Sequence, residues 1–304
     1  MISMIVLSSI LCGCSVVLNF IVILTVSKKR SKDLRHLILM SLALCEGMSI
    51  TVWYLNYVYS YFHKHEPLTK KLCEISGFIV LYLTITSVSH LVWLCIYRFI
   101  TISHPLKIHY FFIDSKRRVF YFILPCWIYG LFWSSAPLFG WSKLEEENSS
   151  YYRCTVIYHP DEFLKRSYLF ALIVFFYFMP LSTISFFTLK VHLELRNMLK
   201  QCKKVSGNNA LITKDTYKLA RQDFINACLI VASFTVVWSP YALCVFALSL
   251  GYKKLKGFLF FCALFSKLST ICDPIIYCLV YKNFRETLRR DIKKIFKVAA
   301  VAPQ

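Results

Sequence analysis

Four ionisable side chains lie inside long apolar stretches of this 304-residue sequence, namely Glu46, Arg98, Lys267 and Asp273. Charges in such surroundings are costly and mark positions with a chemical role. Lys267 follows about nine apolar residues, too deep for its stem to reach water easily. Its amine is therefore expected to be neutral, paired or covalently modified. A buried lysine whose charge is disfavoured is also a competent nucleophile toward an aldehyde.

The other three charges admit more than one interpretation. Glu46 lies near the middle of its stretch, and we expect it to pair with Asp273 through a shared proton or a cation. Arg98 lies at the end of its stretch, where its long side chain either simply reaches the membrane interface or has a role in signalling.

Seven apolar stretches, each long enough to cross a bilayer, must position these residues. With 57% hydrophobic residues and 17% charged ones, against roughly 25% charged in soluble domains, the composition excludes a soluble globule and a disordered chain. The predicted fold is an all-α membrane protein, a seven-helix bundle over 1–281 followed by an amphipathic cytoplasmic helix at about 283–297 and a short tail within 282–304. The predicted spans are 2–27, 34–60, 74–103, 116–139, 164–190, 223–250 and 257–281.

The basic residues predict the orientation of the bundle. The segments on one side carry 24 Lys and Arg and those on the other carry 10, so the richer side is cytoplasmic and the N-terminus extracellular. The first span is too long for a signal peptide and is expected to be retained. Asn148, in the sequon Asn148-Ser149-Ser150, falls on an outer loop and is a candidate glycosylation site. Because the net charge of +20 is clustered between spans, nucleic-acid binding is excluded.

The thirteen cysteines divide in the same way. Ten lie within spans, where a thiol behaves as a small hydrophobe, and Cys202 is cytoplasmic, where it stays reduced. Only Cys73 and Cys154 lie on the oxidising side near the membrane surface. We expect these two to form a disulfide that ties the second outer loop to the top of span three.

Motifs in all seven spans resemble the rhodopsin-like G-protein-coupled receptors. The matching positions are Asn19, Leu42-Ala43-Leu44-Cys45-Glu46 for L-A-x-x-D, Cys73, Tyr97-Arg98-Phe99 for D/E-R-Y, Trp127, Pro180, Val237-Trp238-Ser239-Pro240-Tyr241 for C-W-x-P-Y, and Asp273-Pro274-Ile275-Ile276-Tyr277 for N-P-x-x-Y. The resemblance implies a polar core of Asn19, Glu46 and Asp273. It also implies that a heterotrimeric G protein couples to the cytoplasmic face through Arg98, Tyr97 and Tyr277.

Within that family the sequence is most similar to the opsins. Lys267 lies seven residues before Pro274, at the register of the lysine that holds retinal in opsins. The segments 137–142 and 281–285 are similar to the opsin second outer loop and to the opsin N-K-Q-F-R. The resemblance implies retinal bound to Lys267 as a Schiff base, in the 11-cis form in the dark, with photoisomerisation activating the G protein.

Trp238 and Tyr241 are expected beside the polyene, although aromatic residues in a span more often serve packing.

Other positions depart from the opsin pattern. Thr188 replaces the usual span-five tyrosine, and Ser76 stands where vertebrate visual opsins place their counterion. These departures resemble a divergent opsin of non-vertebrate, for instance cnidarian, type. Tyr97 replaces the acid before Arg98, which implies activity in the dark.

A protonated Schiff base in a low dielectric needs a nearby anion, and three carboxylates are candidates. Glu147 lies six residues after Trp141, the offset of the opsin loop glutamate. Counted back from Cys154, the same position falls on Asn148, so the alignment can shift by one residue and Glu146 is also a candidate. Glu74 is expected to face away from the site. Chloride or water is the alternative to all three.

Three functional classes follow from the sequence. The first is a light receptor in the plasma or photoreceptor membrane that binds retinal. The second is a receptor for a diffusible acidic or lipid ligand that binds Lys267 without a covalent bond. The third is a transporter, for which no internal repeat is visible. None of these is an enzyme. Arrestin is a possible partner, but the tail from 282 holds one hydroxyl residue, Thr287.

Overall fold

A computed structural model shows the predicted seven-helix bundle. It describes residues 2–28, 34–62, 69–104, 116–146, 154–158, 162–208, 210–280 and the short pieces 285–286 and 289–290. Seven helical segments in these ranges are long and apolar enough to cross a membrane. The chain is therefore a multi-pass membrane protein, as the composition predicted.

The spans are numbered one to seven along the chain. Their bounds are Ile2–Ser27, Leu34–Phe62, Lys70–Ser103, Lys116–Ser135, Phe163–Ser206 with a π-helical turn at Val174–Phe178, Leu211–Ser249, and Lys256–Ser266 continued by Ser269–Val280. Spans one to four pack on one another in chain order, and so do spans five to seven. Span three also packs on span five, and span seven closes the ring on span one. The closed ring surrounds the side chains predicted to carry function.

Spans four and seven are not regular α-helices throughout. Span four reaches the predicted 139, but its α-helix ends at Ser135 and a single 3₁₀ turn completes it, Ala136–Phe139. Pro137 explains the change, because a proline is favoured at the start of a helical turn and disfavoured in its interior. Span seven lies at its predicted place in the sequence, but its helix is interrupted between Ser266 and Ser269.

The inner ends of spans five and six extend beyond the predicted 190 and 223. Their 44 and 39 residues correspond to about 66 Å and 58 Å, against a hydrocarbon core of about 30 Å. The polar extensions remain helical because they pack on each other, burying Val191, Leu195 and Ala220. Gly207, at a φ of 80°, ends the span-five helix before the chain turns back.

The second outer loop forms a two-stranded antiparallel hairpin above the bundle. Strand β1 is Leu144–Glu146 and strand β2 is Cys154–Val156, with Glu146 opposite Cys154. The predicted disulfide between Cys73 and Cys154 is present and joins β2 to span three. A Cβ at Gly77 would lie 3.4 Å from the Cys154 carbonyl oxygen, so the absence of a side chain there permits the close approach. Together these contacts fix the hairpin as a cover.

Most of the predicted cytoplasmic helix at 283–297 lies outside the described residues. The two pairs that the structure describes, 285–286 and 289–290, are both helical.

Candidate functional site

A cavity of about 170 Å³ lies beneath the outer-loop hairpin, and Lys267 is part of its wall. Leu144 and Val156 from the two strands border it on one side. Spans two, three, five, six and seven supply the rest, mostly with apolar and aromatic side chains such as Trp53, Phe176 and Trp238. An apolar cavity with few polar groups is the usual form of a small-molecule site.

Lys267 provides the only amine among the described lining residues. Its side chain is 8% exposed, as expected from its depth in the sequence. The amine Nζ donates to Thr84 Oγ1 at 3.4 Å and to Ser49 Oγ at 3.5 Å, and these two hydroxyls lie 3.1 Å apart. Lys267 also lies at the interruption of span seven, where its N–H bonds to the Leu264 carbonyl three residues earlier.

The predicted aromatic residues both border the cavity. Trp238 and Tyr241 lie on span six, on either side of Pro240. The Tyr241 hydroxyl is 2.7 Å from the Tyr158 hydroxyl, and Tyr158 in turn is hydrogen-bonded to Thr155 of β2. Span six is thus connected to the outer-loop cover through side chains that face the cavity.

None of the described carboxylates lines the cavity. Glu74 lies 4.0 Å from Lys70, one turn earlier on span three, in agreement with the expectation that it faces away. Glu146 is half-buried at the end of β1, its Oε1 makes no hydrogen bond among the described residues, and burial raises the pKa of this carboxyl. Glu147 and Asn148 lie outside the described residues.

The residues predicted to couple to a G protein lie at the other end of the bundle. Arg98, Asp273 and Tyr277 border a second, smaller cavity of about 30 Å³ near the inner surface. Tyr97 is half-buried and packs with Tyr277 against the cluster formed by spans two, three and seven, but does not border this cavity.

The predicted polar core is also assembled. Asn19 donates through Nδ2 to the backbone carbonyls of Ser15 at 3.0 Å and Thr270 at 2.9 Å, which ties span one to span seven. Glu46 and Asp273, 2% and 7% exposed, lie close enough for their carboxyl groups to interact. Two carboxyl groups at such a distance can form a hydrogen bond only when one of them carries a proton. The structure thus brings together the two acids that were expected to pair.

The sequence analysis missed several residues at the site, among them Thr84 and Tyr177, which line the cavity, and Ser49, which accepts from the Lys267 amine. Hydroxyl residues are common in membrane helices, and a span that is apolar all round gives no periodic signal for the side that faces inward. Tyr177 carried no signal at all, since a π-helical turn determines its direction.

Comparison with known proteins agrees with this architecture. Residues 18–277 match the model of the 7 transmembrane receptor (rhodopsin family). The crystal structure of squid rhodopsin superposes with a TM-score of 0.80 at 21% identity, covering 96% of this chain and 85% of that one.

Two related sequences come from a frog and a pigeon. Melanopsin-B of Xenopus laevis is 30% identical over 233 residues, which are 72% of this chain and 41% of the frog protein. Pinopsin of Columba livia is 25% identical over 287 residues, 90% of this chain and 76% of the pigeon protein. The chain thus spans less than half the length of the frog melanopsin that it matches.

Proposed function

Because the chain belongs to the rhodopsin family of seven-transmembrane receptors, which are receptors and not enzymes, we propose that it is a light-sensing opsin that holds retinal on Lys267. The observation that carries the proposal is the position of the buried Lys267 side chain in the wall of a mostly apolar cavity. The melanopsin and pinopsin relatives support it.

The residues of the cavity fit a polyene aldehyde. Its wall is mostly apolar, with aromatic rings from spans two, five and six. The amine of Lys267 donates to the hydroxyls of Ser49 and Thr84, and in its neutral form it is a nucleophile toward an aldehyde. When bound as a Schiff base, retinal supplies absorption of visible light and a double bond that isomerises. The 11-cis form is the expected dark isomer.

The chain's own residues then perform the remaining tasks. Ser49 and Thr84 orient the Lys267 amine, and the hairpin with its disulfide excludes water from above. Trp238 borders the cavity two residues before Pro240, where span six lacks one backbone hydrogen bond. A change in the shape of the cavity therefore acts through Trp238 on the kink at Pro240, about which the inner part of span six can move.

We assign the counterion to Glu147, with Glu146 as the second candidate. Glu146 ends strand β1, whose Leu144 borders the cavity, and Glu147 is the next residue in the sequence, at the offset of the opsin loop glutamate. Glu74 is not favoured, because it lies beside Lys70 and away from the cavity. In a Glu147→Gln pigment the pKa of the Schiff base should fall, whereas Glu74→Gln should leave it unchanged; the opposite pair of results moves the assignment to Glu74.

On the cytoplasmic side, the partner is a heterotrimeric G protein. Arg98 and Tyr277 border the inner cavity and Tyr97 packs near Tyr277. The extended inner end of span five carries exposed basic residues such as Lys200 and Lys204. Opening of span six would expose this region to the G protein. The receptor is expected in a plasma or photoreceptor membrane with its N-terminus extracellular, as the excess of inner Lys and Arg indicates.

The direct experiment is incubation of the purified protein with 11-cis-retinal in the dark. We expect an absorption band that acid denaturation traps as a covalent adduct, and a smaller yield with all-trans-retinal. Lys267→Ala should form no adduct, whereas Lys256→Ala, an exposed lysine at the outer end of the same span, should match the parent. An acid-trapped adduct that persists in Lys267→Ala contradicts the assignment to Lys267, whereas a parent protein that forms no adduct contradicts the light-receptor proposal and favours a receptor for a diffusible ligand.

A further inference from the structure

One π-helical turn interrupts span five at Val174–Phe178, just before Pro180. A π-helical turn inserts an extra residue and is frequent at functional sites. Most of this turn faces outward, but Tyr177 is half-buried and stacks on Phe234 of span six with ring centroids 6.4 Å apart. The turn thus directs one polar side chain from span five toward span six.

The hydroxyl of Tyr177 lies 2.6 Å from Ser239 Oγ. A serine hydroxyl has a single proton, and Ser239 donates it to the backbone carbonyl of Thr235 at 2.5 Å. Tyr177 is therefore the donor and Ser239 the acceptor. Both groups lie in partly buried, mainly apolar surroundings, where a polar group that loses its partner is costly.

Ser239 lies at the weakest point of span six. Its neighbour Pro240 has no backbone N–H, so the carbonyl of Val236 has no helical partner there. The bond from Ser239 back to Thr235 is of a kind that bends helices. The contact with Tyr177 therefore acts at the point about which span six can move.

The same tyrosine borders the cavity that contains Lys267. Tyr177 and Trp238 both line it, and Phe234 stacks on each of them, at 6.4 Å from Tyr177 and 6.2 Å from Trp238. A ligand in the cavity would therefore contact the hydrogen-bonded pair directly at Tyr177 and indirectly through Trp238.

We propose that the hydrogen bond from Tyr177 to Ser239 is a latch that holds span six against span five in the resting receptor. Tyr177 is a positioning residue in this role, and its hydroxyl also contributes to the polarity of the cavity. The role as a dark-state latch rests on the proposed light-receptor function, but the contact between the two spans does not depend on it.

Three variants and one control test the latch. Tyr177→Phe and Ser239→Ala each remove the hydrogen bond, and the double variant removes the same single bond. Tyr129→Phe is the matched control, because its hydroxyl, in the same aromatic region, donates to the Phe175 carbonyl and does not contact span six. Spin labels on the exposed cysteines Cys14 and Cys228, in spans one and six, report the position of span six by their distance distribution.

Each single variant should raise the fraction of receptors with span six displaced by about fivefold, the factor given by the loss of one ordinary hydrogen bond. Dark nucleotide exchange on the G protein should rise by the same factor. The double variant should equal the single ones, because the two residues act through one contact. Tyr129→Phe should match the parent.

The spectrum separates the latch from a purely structural role. Of the two hydrogen-bonded residues, Tyr177 borders the cavity and Ser239 does not. Tyr177→Phe should therefore shift the absorption maximum of the pigment, and Ser239→Ala should shift it less. A parental distance distribution in Tyr177→Phe, a fall in displaced receptors, or additive effects in the double variant would overturn the latch. The spin-label distances are also measured without retinal, so the latch is decided even if the parent forms no pigment, which would overturn the light-receptor proposal alone.

Discussion

The outer and inner halves of the bundle are built differently. The outer half is held by a disulfide, a strand pair and closely packed rings around a mostly apolar cavity. The inner half has a smaller cavity and relies on charged and polar groups, among them the half-buried Arg98 and the buried Glu46–Asp273 pair. The half that would hold a ligand is covalently fixed, whereas the half that would move is held by contacts that can exchange partners.

The same division appears in the sequence. Among the motif residues, Cys73, Trp238 and Lys267 of the outer half agree with the opsin pattern, and three of the inner half depart from it, with Tyr97 for an acid, Glu46 for Asp and Asp273 for Asn. These three departures fall in the half where we propose that the resting state is controlled. Four predictions test this comparison.

The largest effect is expected in the outer half. Cys73→Ser removes the bond that fixes strand β2 over the cavity and should cost about 2–5 kcal/mol of stability. Pigment yield and the unfolding temperature should both fall sharply. Cys202→Ser, at a cysteine that forms no disulfide in the inner extension of span five, is the control and should change neither. Equal behaviour of the two variants would show that the cover does not depend on the disulfide.

In the inner half, the acid pair should respond to the kind of replacement. Asp273→Asn keeps a hydrogen-bonding partner for Glu46, so the unfolding temperature should stay the same or rise. Asp273→Leu leaves the buried Glu46 carboxyl without that partner and should cost about 1–3 kcal/mol. Thermal unfolding of the two variants side by side decides the point; identical curves would mean that the contact contributes nothing.

A third prediction concerns the resting state. Since Tyr97 supplies no charge for Arg98, the parent should show dark nucleotide exchange above receptor-free controls. Tyr97→Glu restores an acid at the family position and should lower that exchange about fivefold, the effect of a partly exposed ion pair of about 1 kcal/mol. Tyr97→Gln has the same size without the charge. If Gln lowers the exchange as much as Glu, the effect is due to loss of the ring.

The smallest effect is expected at the rim of the outer half. Burial raises the pKa of Glu146, so the folded protein keeps that proton to higher pH than the unfolded chain, and stability falls as the pH rises through the raised pKa. Glu146→Gln should therefore raise the unfolding temperature slightly at pH 7 and leave it unchanged below pH of about 4.

Glu145→Gln is the matched control for the rim. Its carboxylate lies 3.7 Å from the amine of Lys143, so its loss should bring no gain at pH 7. A lower unfolding temperature in Glu146→Gln at pH 7 would instead mean that the Glu146 carboxylate has a partner in the folded protein.

The sequence predicted the spans because about 20 apolar residues leave few alternatives in a membrane. It also predicted the Cys73–Cys154 disulfide and the depth of Lys267. It did not predict the interruption of span seven at Lys267, because apolar content is the same in a continuous helix and in a broken one.

Other features depend on contacts between distant parts of the chain. The inner extensions of spans five and six are too polar for a hydropathy criterion and become helical by packing on each other at Val191, Leu195 and Ala220. The direction of Tyr177 follows from a π-helical turn, which has no sequence pattern of its own. These are the elements on which the proposed movement of span six depends.

The account is tested most directly by locating the bond to retinal. Pigment formed in the dark is reduced with borohydride, which fixes the amine adduct, then cleaved and analysed by mass spectrometry. We predict a single retinyl group on the peptide that contains Lys267, with none on peptides that contain the exposed lysines Lys254 or Lys256. A retinyl group on another lysine, or a pigment whose reduced peptides carry none, would contradict the account.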